Sequence, residues 1–367
     1  MAETSTASGW SAIGAQDFVF PVAHVAARSS AGTPYRRAVP YGMPRIPDQI
    51  ADAVFYLYPT REAAEKGEQF GGSGFFYGAP VGKERWAVFA VTNWHVAVQG
   101  GCSVIRLNCK DGSADIFETD PSDWEFEPKS YDLAVMPFRY DEKKHRAAFL
   151  SHEMIATSKD ITERSIGIGD DIFMLGRFVD HDGGTENRPA ARFGNVSIMS
   201  QPVTQKNGAR LPSHILDVHS RTGYSGSPVF VYRTPGGDFT VGDIMLGGPK
   251  ARFLFLLGVH WGQFPEKWEI KSGGTGINTN AAPVIGSDRY IEGMGGMTLA
   301  LPATEIMKLL ERPKMKAYLD EVKENVRKVY PDQAVEEVAA STVPATDNPS
   351  HKEDFTRLLG AAVKEKK

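Results

Sequence analysis

Three short strings in the sequence carry side chains that could together attack a carbonyl carbon. The string Thr-Asn-Trp-His-Val places His95 at the end of an apolar strand, and Tyr-Asp-Leu-Ala-Val places Asp132 at the start of another. The string Gly-Tyr-Ser-Gly-Ser-Pro-Val holds Ser225 between Gly223 and Gly226, in a tight turn that exposes the hydroxyl and leaves backbone N–H groups free. A hydroxyl, an imidazole and a carboxylate are the groups that nucleophilic acyl transfer requires.

Each of the three strings also has a purely structural interpretation. A lone histidine such as His95 is most often a hydrogen-bonded core residue, and an acid such as Asp132 at a strand edge is usually a cap or turn residue. The order His, Asp, Ser favours chemistry, because it is one of the few known orders of a hydrolytic triad. Amide hydrolysis through serine needs a base within about 2.6–3.2 Å of the hydroxyl, a carboxylate that holds the imidazole, and backbone donors for the oxyanion.

In type and order, these residues resemble the chymotrypsin-like (trypsin-like) serine protease superfamily, over roughly residues 51–312. The string around Ser225 is similar to the family's Gly-x-Ser-Gly-Gly/Ser-Pro, and Asp132 opens a similar Asp-Leu-Ala-Val strand. Further strings resemble the family's strand before the histidine, its substrate-pairing strand and its closing strand: Gly72-Ser73-Gly74-Phe75, Gly258-Val259-His260-Trp261-Gly262 and Met297-Thr298-Leu299-Ala300-Leu301-Pro302.

The resemblance implies an all-β fold of two six-stranded antiparallel barrels, with the active site in the cleft between them. By the same resemblance, His95 would act as general base and then as general acid, Asp132 would orient it, and Ser225 would be the nucleophile. The N–H groups of Gly223 and Ser225 would form the oxyanion hole. Glycine suits position 223 because turning that N–H inward requires a backbone conformation that other residues resist.

The sequence departs from the family at two points. Tyr224 precedes the serine, where zymogen-activated members carry an Asp that pairs with a newly cut N-terminal amine. The two cysteines, Cys102 and Cys109, are too few for a disulfide framework and lack the spacing of a zinc site. Family members with these departures are bacterial and viral enzymes of the intracellular or polyprotein type. We therefore expect no salt-bridge activation, and a cytoplasmic location.

The resemblance also suggests which residue precedes the scissile bond. The pocket floor in the family lies six residues before the serine, where this chain has His219 instead of the Asp of trypsin-like members. Ser220 and His260 resemble the pocket pair of glutamyl endopeptidases and of viral proteases that cut after Glu or Gln. Trp261 and Gly262 would pair with the substrate backbone. The alternative is an apolar pocket in which His260 is a core histidine.

The elements that must position these residues are mostly short strands. Runs rich in Val, Phe and Tyr recur with Gly or Pro between them, and almost no helical periodicity precedes residue 300. We predict four segments: an irregular N-terminal arm (1–50), an N-terminal β-barrel (51–150), a C-terminal β-barrel with its closing helix (151–312), and a helical C-terminal tail with a polar linker (313–367). The last helix of the tail has one apolar face and could dock against its own domain or a partner.

Composition and charge exclude several classes of function. The chain has 367 residues and a formal net charge of −4, without the basic patch that a nucleic-acid partner requires. No apolar stretch approaches the roughly 20 residues that span a bilayer, so we expect no membrane association. The histidines show no HExxH or HxxxH spacing, so no metal and no organic cofactor are expected. The expected partner is a protein or peptide substrate.

Two other classes of function compete with an active protease. The first is a catalytically inactive, protein-binding module on the same fold. Such modules generally lose a triad residue or the glycine two before the serine, and this chain keeps all four. The second is an esterase of the α/β class, which is disfavoured because that fold needs Gly-x-Ser-x-Gly with the histidine last in the chain.

Two segments have roles that the sequence leaves open. Residues 263–295 form a long Gly-rich insertion between two strands, which is either a lid or specificity loop or plain surface structure. The N-terminal arm either wraps the second barrel as a structural strap or lies in the cleft as an inhibitory segment.

Overall fold

The computed structural model describes most of the chain between residues 46 and 330, together with two short pieces before it. The described residues are 19–21, 24–25, 46–68, 70–127, 131–181, 184–204, 210–233, 253–269 and 290–330. The chain forms one compact unit over residues 1–334 and a second over 335–367. The second unit, which contains the predicted last helix of the tail, lies outside the described residues.

The first half of the described chain forms a ten-stranded sheet. Its strands are β1 (Val19–Pro21), β2 (His24–Val25), β3 (Val54–Tyr58), β4 (Gly72–Gly82), β5 (Arg85–Thr92), β6 (Val104–Asn108), β7 (Ala114–Phe117), β8 (Glu125–Phe126), β9 (Ala134–Pro137) and β10 (Phe149–Ser151). Their order is β7-β6-β3-β4-β5-β9-β8; β1 pairs antiparallel with β5, and β10 pairs in parallel with β2 and β4.

The strand β3 shows why these apolar runs form a sheet that is covered on both faces. Val54, Tyr56 and Tyr58 enter one apolar cluster, whereas Phe55 and Leu57 enter another. Successive side chains of a strand point to opposite faces, so a continuous apolar run places residues in both clusters at once.

The second half forms a closed six-stranded barrel. Its strands are β11 (Asp171–Gly176), β12 (Ala190–Thr204), β13 (Arg210–Asp217), β14 (Pro228–Arg233), β15 (Phe253–Glu269) and β16 (Tyr290–Pro302), in the order β11-β12-β13-β16-β15-β14. The predominance of strands confirms the predicted all-β class. The first sheet differs from the predicted six-stranded barrel, since among the described strands its pairing runs along an open path, and the arm contributes β1 and β2 to it.

One apolar cluster is shared by the first sheet and the barrel. Phe75 and Val91 reach it from the sheet, and Phe173, Phe230 and Leu301 reach it from the barrel. The rings of Phe173 and Phe230 stack with centroids 4.9 Å apart. Protein interiors are close-packed, so this shared core fixes the relative positions of the strand ends that carry the predicted site residues.

The helices are short, apart from the last one described. They are α1 (Asp48–Asp52), α2 (Arg61–Lys66), α3 (Ser158–Arg164), α4 (Thr304–Leu310) and α5 (Pro313–Val329). Single turns of 3₁₀-helix cover Pro121–Asp123 and His152–Met154, and a π-helical turn covers His95–Gln99. No helix in the described part of the chain is both long enough and apolar enough to cross a bilayer.

The helix α5 belongs to the body of the molecule, although its residues fall in the predicted tail. It begins at Pro313, a residue that suits the first turn because its missing N–H would have no partner there. Met315, Val322 and Val326 are buried in the shared cluster. The ring of Tyr318 meets Phe89 of β5 edge-on, with centroids 5.8 Å apart.

Candidate active site

His95 and Asp132 form a hydrogen-bonded pair at the end of β5. His95 Nδ1 lies 2.6 Å from Asp132 Oδ2, and the backbone N–H of His95 donates to Oδ1 over 2.9 Å. The amide of buried Asn93 donates to the Asp132 carbonyl over 2.8 Å, which holds the two strand ends together. An ionised carboxylate only accepts, so Nδ1 carries the hydrogen and Nε2 is left free as a base. The imidazole is 35% exposed, whereas Asp132 is buried.

Ser225 lies in the loop that leads from β13 into β14, and it lines a cleft of about 290 Å³ together with His95. Two glycines of this loop adopt left-handed backbone conformations, Gly223 with φ +99° and Gly226 with φ +85°. A Cβ at position 223 would lie 2.5 Å from the Arg177 carbonyl oxygen. The loop therefore requires glycine there both for its conformation and for its space.

The N–H groups of Gly223 and Ser225 are available on the loop. Within the part of the chain that the structure describes, neither group meets a hydrogen-bond acceptor. The carbonyls of the same two residues are both occupied, since Ser73 Oγ donates to Gly223 O over 2.7 Å and Ser73 N–H donates to Ser225 O over 2.8 Å. An arrangement of this kind leaves two backbone donors for a negatively charged oxygen.

Tyr224 lies in the barrel interior, where it is fully buried. Its hydroxyl donates to the Ala190 carbonyl over 3.2 Å, and the Arg192 guanidinium lies 5.6 Å from its ring centroid. Burial raises the pKa of the phenol, so it stays neutral. Packing and this hydrogen bond thus hold the residue before Ser225 without a carboxylate.

Ser220 and His260 form a second buried pair that lines the same cleft. Ser220 Oγ lies 2.6 Å from His260 Nε2, and His260 Nδ1 lies 3.1 Å from the Leu299 carbonyl oxygen. A carbonyl only accepts, so Nδ1 donates to Leu299 and Nε2 accepts from the Ser220 hydroxyl. Burial lowers the pKa of His260 to about 4, which keeps the imidazole uncharged near neutral pH.

The other three residues of the predicted substrate site are separated in the structure. Gly262 lines the cleft, as expected for a residue beside the substrate. Trp261 is half-buried, and its indole N–H donates to Ser213 Oγ over 3.0 Å. His219 is exposed and is absent from the residues that line the cleft, which corrects its placement at the pocket floor. His219 and Ser220 both lie in the loop after β13, where Ser220 is buried and His219 is exposed.

Arg177 is a fully buried residue behind the cleft that the sequence reasoning missed. Its guanidinium lies 4.1 Å from the Tyr58 ring centroid and donates to the carbonyls of Phe70, over 3.1 Å, and Glu68. Phe70 lines the cleft beside Ser225, so Arg177 holds one edge of the cleft in place. Its position one residue past β11 gave no local signal, because its partners come from more than 100 positions earlier in the chain.

One cluster outside the cleft has the donor atoms of a metal site. The ligand atoms of Cys109, Asp115 and His145 lie within 4.8 Å of one another. The Asp115 carboxylate is already paired with Lys144, and it accepts from His145 Nε2 over 2.8 Å. Hydrogen bonding from Lys144 lowers the pKa of Asp115. An ammonium on the same oxygen disfavours a further cation, so the cluster is accounted for as an ion-pair network.

Comparisons with known proteins give similarity to solved protease structures only. No family model and no curated protein matches the chain. The structure of the HtrA-type protease AlgW with a decapeptide is 15% identical, with 74% of this chain and 66% of that chain covered, and a TM-score of 0.38. The active form of the Rv3671c protease from M. tuberculosis is 14% identical, with coverage of 74% and 93% and a TM-score of 0.38.

A further neighbour is the MamO protease domain from Magnetospirillum magneticum in its apo form. It is 15% identical, with coverage of 72% of this chain and 98% of that chain and a TM-score of 0.34. This chain spans just under two thirds of the AlgW chain. TM-scores this low assign no function, which must be argued from the geometry of the site.

Proposed function

We propose that this chain is a serine endopeptidase that hydrolyses peptide bonds through an acyl-enzyme. The observation that carries the proposal is the His95–Asp132 hydrogen bond of 2.6 Å beside a cleft that Ser225 also lines. The free donors at Gly223 and Ser225 support the same chemistry, because they lie on the loop that holds the nucleophile.

In the proposed mechanism, the Ser225 oxygen attacks the substrate carbonyl carbon as its proton passes to His95 Nε2. The carbonyl oxygen becomes an oxyanion, which the N–H groups of Gly223 and Ser225 stabilise. Asp132 stabilises the imidazolium, and His95 then gives the proton to the leaving amine as the C–N bond breaks. Water, deprotonated by His95, attacks the acyl ester in the second half and releases the acid with Ser225 restored.

The neutral pair formed by Ser220 and His260 supports a polar residue before the scissile bond, and favours Gln over Glu. The Ser220 hydroxyl hydrogen is directed to His260, so its oxygen offers lone pairs to a donor. The carboxamide of Gln supplies such a donor, whereas the carboxylate of Glu does not. An apolar side chain would leave the oxygen without a partner, at a cost of about 1–3 kcal/mol.

A fluorophosphonate probe tests the proposed activity directly. We expect the wild-type protein to be labelled, and Ser225→Ala to be unlabelled at the same protein concentration. If wild type is unlabelled and still binds unfolded casein as Ser225→Ala does, the chain is an inactive protein-binding module and the protease proposal is wrong.

A positional peptide library tests the preference at the residue before the cut. We expect enrichment of Gln, then Glu, and loss of that enrichment in His260→Leu. A preference for Lys, Arg or large apolar residues in the wild-type protein would overturn the assignment of the pocket, although not that of the triad.

A further inference from the structure

A single buried residue of the first sheet, Ser73, is hydrogen-bonded at two points to the nucleophile loop, once through its side chain and once through its backbone. Ser73 is the second residue of β4, and none of its surface is exposed. Its hydroxyl donates to the carbonyl of Gly223 over 2.7 Å, and its backbone N–H donates to the carbonyl of Ser225 over 2.8 Å. It therefore binds the carbonyls of the same two residues whose N–H groups are free.

The remaining polar groups of Ser73 join this contact to the rest of the site. Its hydroxyl oxygen accepts from the Arg177 backbone N–H over 2.8 Å, and its carbonyl accepts from Thr92 Oγ1 over 2.7 Å. Thr92 is the last residue of the strand that leads to His95. Ser73 thus contacts the nucleophile loop, the backbone of Arg177 behind the cleft, and the end of the strand that leads to the base.

The loop needs such an attachment because its glycines are conformationally free. Gly223 and Gly226 both have positive φ, and glycine also adopts several other conformations at little cost. The Gly223 carbonyl belongs to the peptide group that joins Gly223 to Tyr224, which lies between the two peptide groups that carry the N–H of Gly223 and the N–H of Ser225. A hydrogen bond to that carbonyl therefore limits the directions that both neighbouring N–H groups can take. Packing prevents the loop from moving toward Ser73, since a Cβ at Gly226 would lie 2.0 Å from Ser73 O.

From these contacts we infer that Ser73 is a positioning residue, whose hydroxyl holds the two oxyanion donors in their productive direction. The inference rests on the proposed function, and it assigns a role to the Gly-Ser-Gly-Phe string beyond that of a strand. Ser73 itself does not line the cleft, so it acts on the reaction only through the loop.

Kinetics of Ser73 variants with a cleaved peptide test the inference. Ser73→Ala removes the donor to Gly223, and we expect kcat to fall roughly 10- to 100-fold. This loss should be no larger than the loss of kcat on removal of one oxyanion donor. KM should change less than about twofold and the pH profile should keep its midpoint, because His95 and the pocket are untouched. The rate of fluorophosphonate labelling should fall with kcat, since phosphonylation uses the same donors.

Ser73→Cys gives a graded variant that keeps the fold if alanine proves too destabilising. The thiol is a weaker donor, so we expect its kcat to lie between those of wild type and alanine. The matched control is Ser103→Ala, because Ser103 is also buried and its hydroxyl donates to a backbone carbonyl, of Thr119, over 2.6 Å. This control should lose thermal stability without losing kcat.

Three outcomes would separate the possible failures. A wild-type protein without labelling or cleavage contradicts the proposed function itself. An active wild type whose Ser73→Ala and Ser73→Cys variants keep kcat within twofold contradicts the positioning role alone. A loss of kcat in Ser103→Ala equal to that in Ser73→Ala would assign the effect to stability, and would also overturn the inference.

Discussion

At the scale of single residues, the site depends on which atoms carry hydrogens. The Asp132 carboxylate receives both the imidazole and the backbone N–H of His95, which fixes the ring in one orientation and one tautomer. Ser225 lines the same cleft with its hydroxyl on a glycine turn. Removal of any member of such a set should disable the others, because each supplies a step that the rest cannot replace.

This cooperation predicts non-additive losses. We expect His95→Ala, Asp132→Ala and Ser225→Ala each to lower kcat by several orders of magnitude, roughly 10⁴- to 10⁶-fold. The kcat of the double variant at His95 and Ser225 should lie within about tenfold of the kcat of the less active single variant. Steady-state kinetics with circular dichroism as a folding control measures this. Multiplicative losses in the double variant would mean that the two residues do not act together.

The activity should also rise with pH. His95 must be neutral to take the Ser225 proton, so the rate measured between about pH 5 and 8 should be lowest at the acid end. The pH dependence of kcat/KM on a peptide without titratable groups measures this. A constant rate across that range would contradict the role of His95 as the base.

The residues found from sequence were those with local signals. Gly-Tyr-Ser-Gly-Ser-Pro marks a turn by its own composition, so Ser225 and Gly223 could be proposed as site residues before the fold was known. The contact between Ser73 and Gly223 joins positions 150 apart and leaves no local trace. The misplacement of His219 has a similar cause, because whether its side chain is buried depends on the conformation of the loop after β13, which the sequence does not reveal.

At the scale of elements, two strands of the barrel each carry a buried histidine. His214 lies in β13 and His260 in β15, and both side chains are almost fully buried. Burial lowers the pKa of each to about 4, against an ordinary value of 6.5. Both histidines are therefore neutral in the folded protein at pH values where the unfolded chain already binds protons.

This difference predicts a loss of stability in mild acid. Below about pH 6.5 the unfolded state gains protons that the native state does not, so the free energy of unfolding should fall as pH drops toward 4, by about 1.4 kcal/mol per pH unit for each histidine. Denaturant unfolding at pH 7, 6 and 5 measures the slope. His214→Gln should reduce that slope by about 1.4 kcal/mol per pH unit, the contribution of one proton. An unchanged slope in this variant would refute a buried, neutral His214 in the folded state.

Strands could be predicted from the sequence where their side chains are buried on both faces of the sheet. Apolar runs such as that of β14 are covered on both faces, so composition alone identified them as strands. The strands β1 and β2 were missed because they are only three and two residues long in a polar, Gly- and Pro-rich arm. Their pairing partners, β5 and β10, are distant in sequence. The arm was predicted to be irregular, with its role left open between a strap around the second barrel and an inhibitory segment in the cleft, whereas its described pieces pair with the first sheet.

At the scale of the whole molecule, the last described helix packs against the first sheet, far from it in sequence. The helix α5 follows the last strand of the barrel and packs against β4 and β5 of the first sheet. The salt bridges of Arg312 to Glu125, at 2.6 Å, and to Glu127 fix the point where the helix begins. The two halves are therefore linked by a shared core, by Arg177 and by this helix.

Substitutions on the two faces of α5 test its structural role. Val322→Ala and Val326→Ala each remove part of a buried side chain, and burial of a whole valine is worth about 1.5–3 kcal/mol. We expect the double variant to unfold at a clearly lower temperature. Lys316→Ala on the exposed face of the same helix should change the melting temperature by only a degree or two. Equal effects of the two sets of substitutions would contradict a structural role for the buried face of α5.

The return of α5 to the first sheet also bears on synthesis at the ribosome. The sheet that carries His95 and Asp132 is complete in sequence by residue 151, but its covering helix ends at Val329. The exit tunnel holds back the most recently made residues, so a nascent chain cannot finish this core until translation has passed α5. The proposed protease would then gain its active cleft only after α5 has left the tunnel, a delay that would protect the segments made before α5 from its activity.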